Sequence, residues 1–169
     1  MTDAQAAAND ATAANDATAP APVAAEPNIL ALENQVCFAL AIAARNVISL
    51  YRPLLEPLGL THPQYLVMLA LWQQSPRSVR NLATALSLEP ATLSPLLKRL
   101  EVAGYVTRER SSSDERMLDL TLTPAGAALR DTALTIPPRV ASALNMSVPD
   151  LEHLRTVLHG VIAATSSPL

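Results

Sequence analysis

The chain is poor in several things, and each scarcity excludes something. Of its 169 residues a single one, Cys37, is cysteine. That rules out an intrachain disulfide and a cysteine-rich zinc site, and it fits a reducing, cytoplasmic compartment. Three scattered histidines form no metal constellation, so neither a metal nor another cofactor is expected. Aromatic residues amount to three Tyr, one Trp and one Phe. The core must therefore be aliphatic, and with Leu and Ala dominant it should be helical; all-β architectures are disfavoured. No charge-free apolar run reaches the roughly 18 residues that span a bilayer. The N-terminus lacks the basic and continuous apolar regions of a secretory signal. Positive charge is also short: the formal net charge is −3, which taken alone argues against a nucleic-acid partner.

The distribution of charge reverses that argument. Asp3, Asp10, Asp16 and Glu26 fall in the first 27 residues, which hold no Lys or Arg, leaving 12 basic against 11 acidic side chains in the rest. From Arg77 to Arg116 there are seven basic residues and five acidic. Local sign matters more than the total. The acidic segment, residues 1–27, repeats AANDAT in tandem and ends in Pro20, Pro22 and Pro27. It has little to bury, so it is expected to be a disordered tail dispensable for the main function. The remainder, 28–169, suffices for one domain with a proper core.

A long helix is expected from about Asn28, with Leu30, Cys37, Leu40, Ala41, Ala44, Val47, Ile48 and Tyr51 recurring at spacings of three and four. Pro53 and Pro57 should kink and end it, with Gly59 beyond. It is longer than one small core needs, so part of it should pack on a second copy of the chain. Thr61, Pro63 and Gln64 read as a capping box opening a helix to about Gln73, with Leu66, Leu69 and Trp72 inward.

The centre of the chain is Ser78 to Leu122. Ser78 caps a short helix carrying Leu82, Ala83 and Leu86, and the chain turns at Ser87 and Leu88. Pro90 opens a second helix in which Leu93, Leu96, Leu97 and Leu100 face the core. Its opposite face shows Ala91, Thr92, Ser94, Pro95, Lys98 and Arg99. Small polar residues let a backbone approach base edges, and the cations add attraction for phosphates. Two strands follow, Tyr105 to Arg110 and Met117 to Leu122, the second with Leu118, Leu120 and Leu122 inward. Arg108, Arg110 and Arg116 give this hairpin a positive edge suited to a narrow minor groove, and Asp114 is placed to orient Arg116. Thr123 and Pro124 open another helix running toward a break at Pro137 and Pro138. A last one begins at Ser147 and Pro149, with Leu151, Leu154, Leu158 and Ile162 on one stripe, and frays at Ser166 to Leu169. The expected fold is mainly α with a small β-hairpin wing. It is a winged helix-turn-helix lobe (about 61–122) dimerised through N- and C-terminal helices (about 28–58 and 124–165).

This order of parts, over about residues 30 to 165, resembles the MarR family of winged-helix transcriptional regulators. LSPLLKRLEVAGYVTRERSSSDER (Leu93 to Arg116) and LTLTPAG (Leu120 to Gly126) carry the general likeness. LENQVCFALA (Leu32 to Ala41) and LYRPLLEPLGLTHPQYLVMLALW (Leu50 to Trp72) are similar to the organic-hydroperoxide-sensing branch, OhrR. In that branch the cysteine of the first helix is the sensor, and its oxidation releases the operator. Cys37 matches it. Tyr51 matches a tyrosine whose phenol is expected to hydrogen-bond the sensor sulfur. Fourteen helical residues separate the two by about 21 Å along the axis, so if they meet they meet across the dimer. Two positions depart from the family: Ala41 stands where a tyrosine is usual, and His62 where a third would sit. His62 could act as a replacement donor or, if charged, stabilise the thiolate.

The resemblance implies a bacterial, cytoplasmic repressor, not an enzyme. Its partners would be a roughly palindromic double-stranded operator, a second copy of itself and an organic hydroperoxide. Other readings stand beside it. On spacing alone, a lone cysteine on an apolar stripe reads as a packing residue, Tyr51 as core, His62 as a helix cap, and Lys98 and Arg99 as a solvated face. The chain could instead be a MarR-type repressor released by a small aromatic or phenolic ligand, a thiol peroxidase, or a winged-helix scaffold that binds no DNA.

Overall fold

The computed structural model describes residues 28–110 and 118–165, and all statements below concern these. The chain divides into two units, residues 1–39 and 40–169. The expected tail lies outside the described residues.

The first long helix, α1, runs Val36–Leu55. Its start is later than expected because polar side chains hold the preceding backbone in local turns, an alternative to helix that Asn and Gln offer readily. Leu30 N donates to Asn28 Oδ1 at 3.1 Å, Asn34 Nδ2 to Asn28 O at 2.9 Å, and Gln35 Nε2 to Ile29 O. A 3-10 turn at Leu32–Asn34 ends at Gln35 in extended conformation. At its other end α1 continues through Pro53 into a second 3-10 turn, Glu56–Leu58, closed by Gly59 at φ 64°. By length and composition Val36–Leu58 is the one helical stretch among the described residues that could cross a membrane. Arg45, Arg52 and Glu56 interrupt it, which is why no charge-free run was visible.

The helix α2, His62–Gln73, opens as expected: Thr61 N and Thr61 Oγ1 each donate to Gln64 Oε1 at 2.8 Å. Its inward face differs from the expected one. Leu69 is exposed, whereas Tyr65, Val67, Met68, Ala70 and Leu71 are buried. Apolar residues occupy nearly every position from Tyr65 to Trp72, so no single stripe could be named from spacing. Strand β1, Arg77–Ser78, is an addition; two residues carry no alternation to read. Helix α3, Val79–Leu86, is capped by the Ser78 hydroxyl accepting from Asn81 N at 3.2 Å, and it ends at Ser87 in the left-handed region, φ 52°.

Helix α4, Pro90–Val102, then β2, Val106–Arg110, and β3, Leu118–Leu122, complete the lobe. The antiparallel sheet has the order β1-β3-β2. Leu82, Leu93, Leu97, Leu100, Val106 and Leu120 are buried together with the α2 residues. Leu118, expected inward, is 45 % exposed. It pairs with Arg110 at the far end of the hairpin, past the reach of the helices. At the other end, Thr123 Oγ1 donates to Gly104 O at 2.7 Å, and Trp72 Nε1 donates to Gly126 O at 2.9 Å. Gly126 is forced: a Cβ there would sit 2.0 Å from Tyr105 O.

Three helices follow: α5, Pro124–Ala133, α6, Ile136–Leu144, and α7, Val148–Thr165. Pro137 and Pro138 do not merely break a helix. They occupy the first turn of α6, where a missing N–H costs nothing, and Ile136 and Val140 join the core. The stripe on α7 is present but uncovered: the helix has no buried residue, and Leu154, Val157 and Ile162 are exposed.

Candidate nucleic-acid interface and redox helix

Helix α4 is two-sided. Leu93, Leu97 and Leu100 are each 0 % exposed, with Leu96 half-buried beside them. Ala91, Thr92, Ser94, Pro95, Lys98 and Arg99 are all exposed. The leucines recur at i, i+4 and i+7, so burying them turns the polar residues outward together. Pro95 removes the N–H that would bond the Ala91 carbonyl, yet the helix stays continuous to Val102. The Ser94 hydroxyl donates to Pro90 O at 3.1 Å, which leaves it free to accept. Lys98 and Arg99, with Pro95 and Val102, line a shallow depression of about 290 Å³. Such a face offers cations for phosphates and a close approach for the backbone.

The wing is less uniform than its arginines suggested. Arg108 is turned inward: its Nε lies 3.0 Å from Glu101 Oε2 on α4, and both side chains are about 30 % exposed or less. The contact is one of charge, because Nε is shielded from solvent and has no partner in hydrogen-bond geometry. Arg110 is exposed at the end of β2. Asp114 and Arg116 lie outside the described residues. Glu101 was not singled out from sequence, and only its pairing with a strand residue six positions beyond the helix explains its place.

Cys37 is in the N-terminal unit, in the first turn of α1, and is exposed, as is Ala41 one turn on. Tyr51 and His62 come together: their ring centroids are 5.0 Å apart, edge to face, and Tyr65 joins them with its centroid 5.9 Å from Tyr51. Burial holds the Tyr51 phenol above its ordinary pKa, and burial with the neighbouring Tyr51 does the same to Tyr65. Burial also lowers the His62 pKa. That shift works against the cationic form of the imidazole. Tyr65 was missed as part of this group; its spacing of three from His62 on one helix face was the available signal.

A groove of about 570 Å³ runs beside this cluster, between the second half of α1 and the start of α2. Arg45, Ile48, Ser49 and Arg52 form one wall, and Leu60, Thr61, His62 and Pro63 the other. Sequence reading did not find it, since it arises from the turn that folds α2 back beside α1. That turn is tied to the wing base by Tyr105, whose hydroxyl donates to Leu58 O at 3.0 Å.

Residues 60–118 match the MarR family. Over 131 residues the chain is 40 % identical to the organic hydroperoxide resistance transcriptional regulator of Bacillus subtilis (strain 168), covering 78 % of this chain and 89 % of that one. Among solved structures, reduced AbfR bound to DNA is similar at TM-score 0.66 and 32 % identity, covering 80 % of this chain and 95 % of that one. The disulfide form of AbfR, a Staphylococcus epidermidis protein, is similar at TM-score 0.56 and 32 % identity, covering 80 % and 90 %. With its lobe, its wing and a relative of this identity over most of its length, the chain belongs to the MarR family of DNA-binding transcriptional regulators.

Proposed function

We propose that the chain is a homodimeric repressor of the bacterial cytoplasm that holds a roughly palindromic operator while reduced and releases it when an organic hydroperoxide oxidises Cys37. The observation that carries the DNA half is the two-sided α4, with three fully buried leucines behind a face of small polar and cationic residues. Residues 61–122 form the reading lobe. Ala91, Thr92, Ser94 and Pro95 approach base edges, Lys98 and Arg99 contact phosphates, and Arg110 and Arg116 reach the neighbouring groove, with Asp114 orienting Arg116. Residues 28–58 and 124–165 pair two copies through the apolar faces that α1 and α7 leave exposed. A two-fold dimer then presents two α4 helices about one DNA turn apart.

The redox half is supported by the hydroperoxide-resistance relative and by the exposure of Cys37. The thiolate attacks the hydroperoxide, an Sγ–O bond forms, and the O–O bond breaks. The alkoxide leaves and takes a proton to become the alcohol, leaving a sulfenic acid. Tyr51, kept protonated by its raised pKa, is suited to donate to the sulfur from the partner subunit. With no second cysteine, the oxidised sulfur is settled by an outside thiol, a sulfenamide, over-oxidation or a link between the two Cys37. A thiol peroxidase would need a resolving thiol for turnover, and steady-state peroxide consumption with a thiol reductant would reveal one.

A DNA-binding titration with the chain's own upstream region tests the reading, with and without organic hydroperoxide, on wild type and Cys37→Ser. Release by wild type alone supports it. Equal release by both favours a second reading, a repressor freed by a small aromatic or phenolic ligand, for which the 570 Å³ groove beside Tyr51 and His62 is the motivating observation. No binding by either at low salt would leave only a scaffold.

A further inference from the structure

The wing arginines are not equivalent, and the sheet register shows why. Residues directly opposite in an antiparallel pair share a face, and alternate residues of one strand do too. Arg108 pairs with Leu120, which pairs in turn with Arg77. Leu120 is fully buried, and Val106, two residues before Arg108, is 2 % exposed. Arg108 is thus on the core-facing side of the sheet. Its stem leaves toward α4 and its Nε comes to rest against Glu101, out of contact with solvent. Thr107 and Glu109 alternate onto the other face. Arg110 returns to the face of Arg108, but at the end of the strand, where its partner Leu118 is exposed and the helices no longer cover it.

Resting on the reading of this lobe as a DNA interface, we propose that Glu101 and Arg108 form a strut fixing the angle between the wing and α4. Arg108 is then a positioning residue that does not itself reach DNA, and of the two arginines of β2 only Arg110 makes a DNA contact. Glu101 is one turn beyond Lys98 on α4, and Arg108 is two residues before Arg110 on β2. A short ion pair therefore links the two elements that carry the DNA contacts, close to each contact. Loss of the pair lets the hairpin swing without unfolding the lobe, because Leu97, Leu100 and Leu120 remain buried.

The two roles predict opposite results for Glu101. If charge alone mattered, removing a carboxylate near the DNA face would tighten binding. A strut predicts that Glu101→Ala weakens it, about as much as Arg108→Ala does, on the order of fivefold per lobe. The experiment is a titration of the full chain against a labelled duplex from its own upstream region over a range of salt. It uses wild type, Glu101→Ala, Arg108→Ala, Arg110→Ala and the exchange Glu101→Arg with Arg108→Glu, with thermal melts of each. Expected are matched losses for the first two single variants with the salt slope unchanged, substantial recovery in the exchange, and a slope reduced by about one per lobe only for Arg110→Ala. A reduced slope for Arg108→Ala with no loss for Glu101→Ala would overturn the strut. So would a change in melting temperature with affinity untouched. If Arg108→Ala does not fold, Glu101→Gln carries the test: unchanged or tighter binding by that variant overturns the strut. Failure of wild type to bind at low salt would instead overturn the DNA reading, and the strut with it.

Discussion

The lobe from α2 to β3 and the helices α1 and α7 are built from the same residues to opposite effect. In the lobe, leucines are enclosed: Leu82, Leu93, Leu97, Leu100 and Leu120 are each 0 % exposed. On α7 no residue is buried, and on α1 only Leu55 is. The lobe is complete within one chain. The terminal helices have apolar faces that another surface must cover, and for a family member the simplest cover is a second copy. The division separates the proposed sites too: the polar face of α4 sits on the closed region, and Cys37 is exposed in the first turn of α1.

The largest loss is expected from inside the lobe. Leu97→Ala should cost about 2–5 kcal/mol, since the side chain is fully enclosed and its truncation leaves a cavity. Urea unfolding checks this, and a loss below about 1 kcal/mol would mean that the lobe is not the closed region described. On α7 the effect should fall on association instead. Leu154→Glu, at a side chain 42 % exposed, should weaken self-association at least about tenfold while leaving lobe stability nearly unchanged. Sedimentation across a concentration series reads it, and an unaltered dimer would remove α7 from the interface.

On the exposed face of α4, Lys98→Ala should lower DNA affinity for all sequences alike and reduce the salt slope by about one per lobe, with stability altered by less than about 0.5 kcal/mol. A change in sequence preference instead would move Lys98 from phosphate to base. The smallest effect concerns His62, whose pKa is lowered by burial. The unfolded chain then binds the proton more tightly, so His62 leaves stability unaffected above about pH 6.5 and subtracts from it as pH falls through the lowered value. His62→Gln should flatten that decline in thermal melts between pH 7 and pH 5, and an unaltered pH dependence would contradict it.

Much of this was legible before the fold was seen, where local chemistry and burial agree. Ser78, Thr61 and Thr123 announce helix starts through their own hydroxyls, and the four leucines of α4 leave one orientation open. Elsewhere tertiary context decides. In α2 nearly every residue is apolar, so Leu69 could not be told from Met68. Pro137 and Pro138 suit a helix start as well as a helix end. Leu118 alternates correctly, yet the hairpin carries it past the core. Arg108 resembles Arg110 in sequence and is separated from it only by the register of β2 on β3 and the nearby Glu101. The groove beside Tyr51 and His62 exists only because the turn at Gly59 brings two helices together.

What must hold for the proposed switch is that oxidation of Cys37 is read out at α4. The most direct measurement follows the anisotropy of a labelled operator duplex with one sample of the full chain, reduced, then treated with an organic hydroperoxide, then returned to excess dithiothreitol, alongside Cys37→Ser. A switch at Cys37 predicts tight binding, release and at least partial recovery for wild type, and tight binding throughout for Cys37→Ser. Release of both proteins by the hydroperoxide, or of neither, would contradict it.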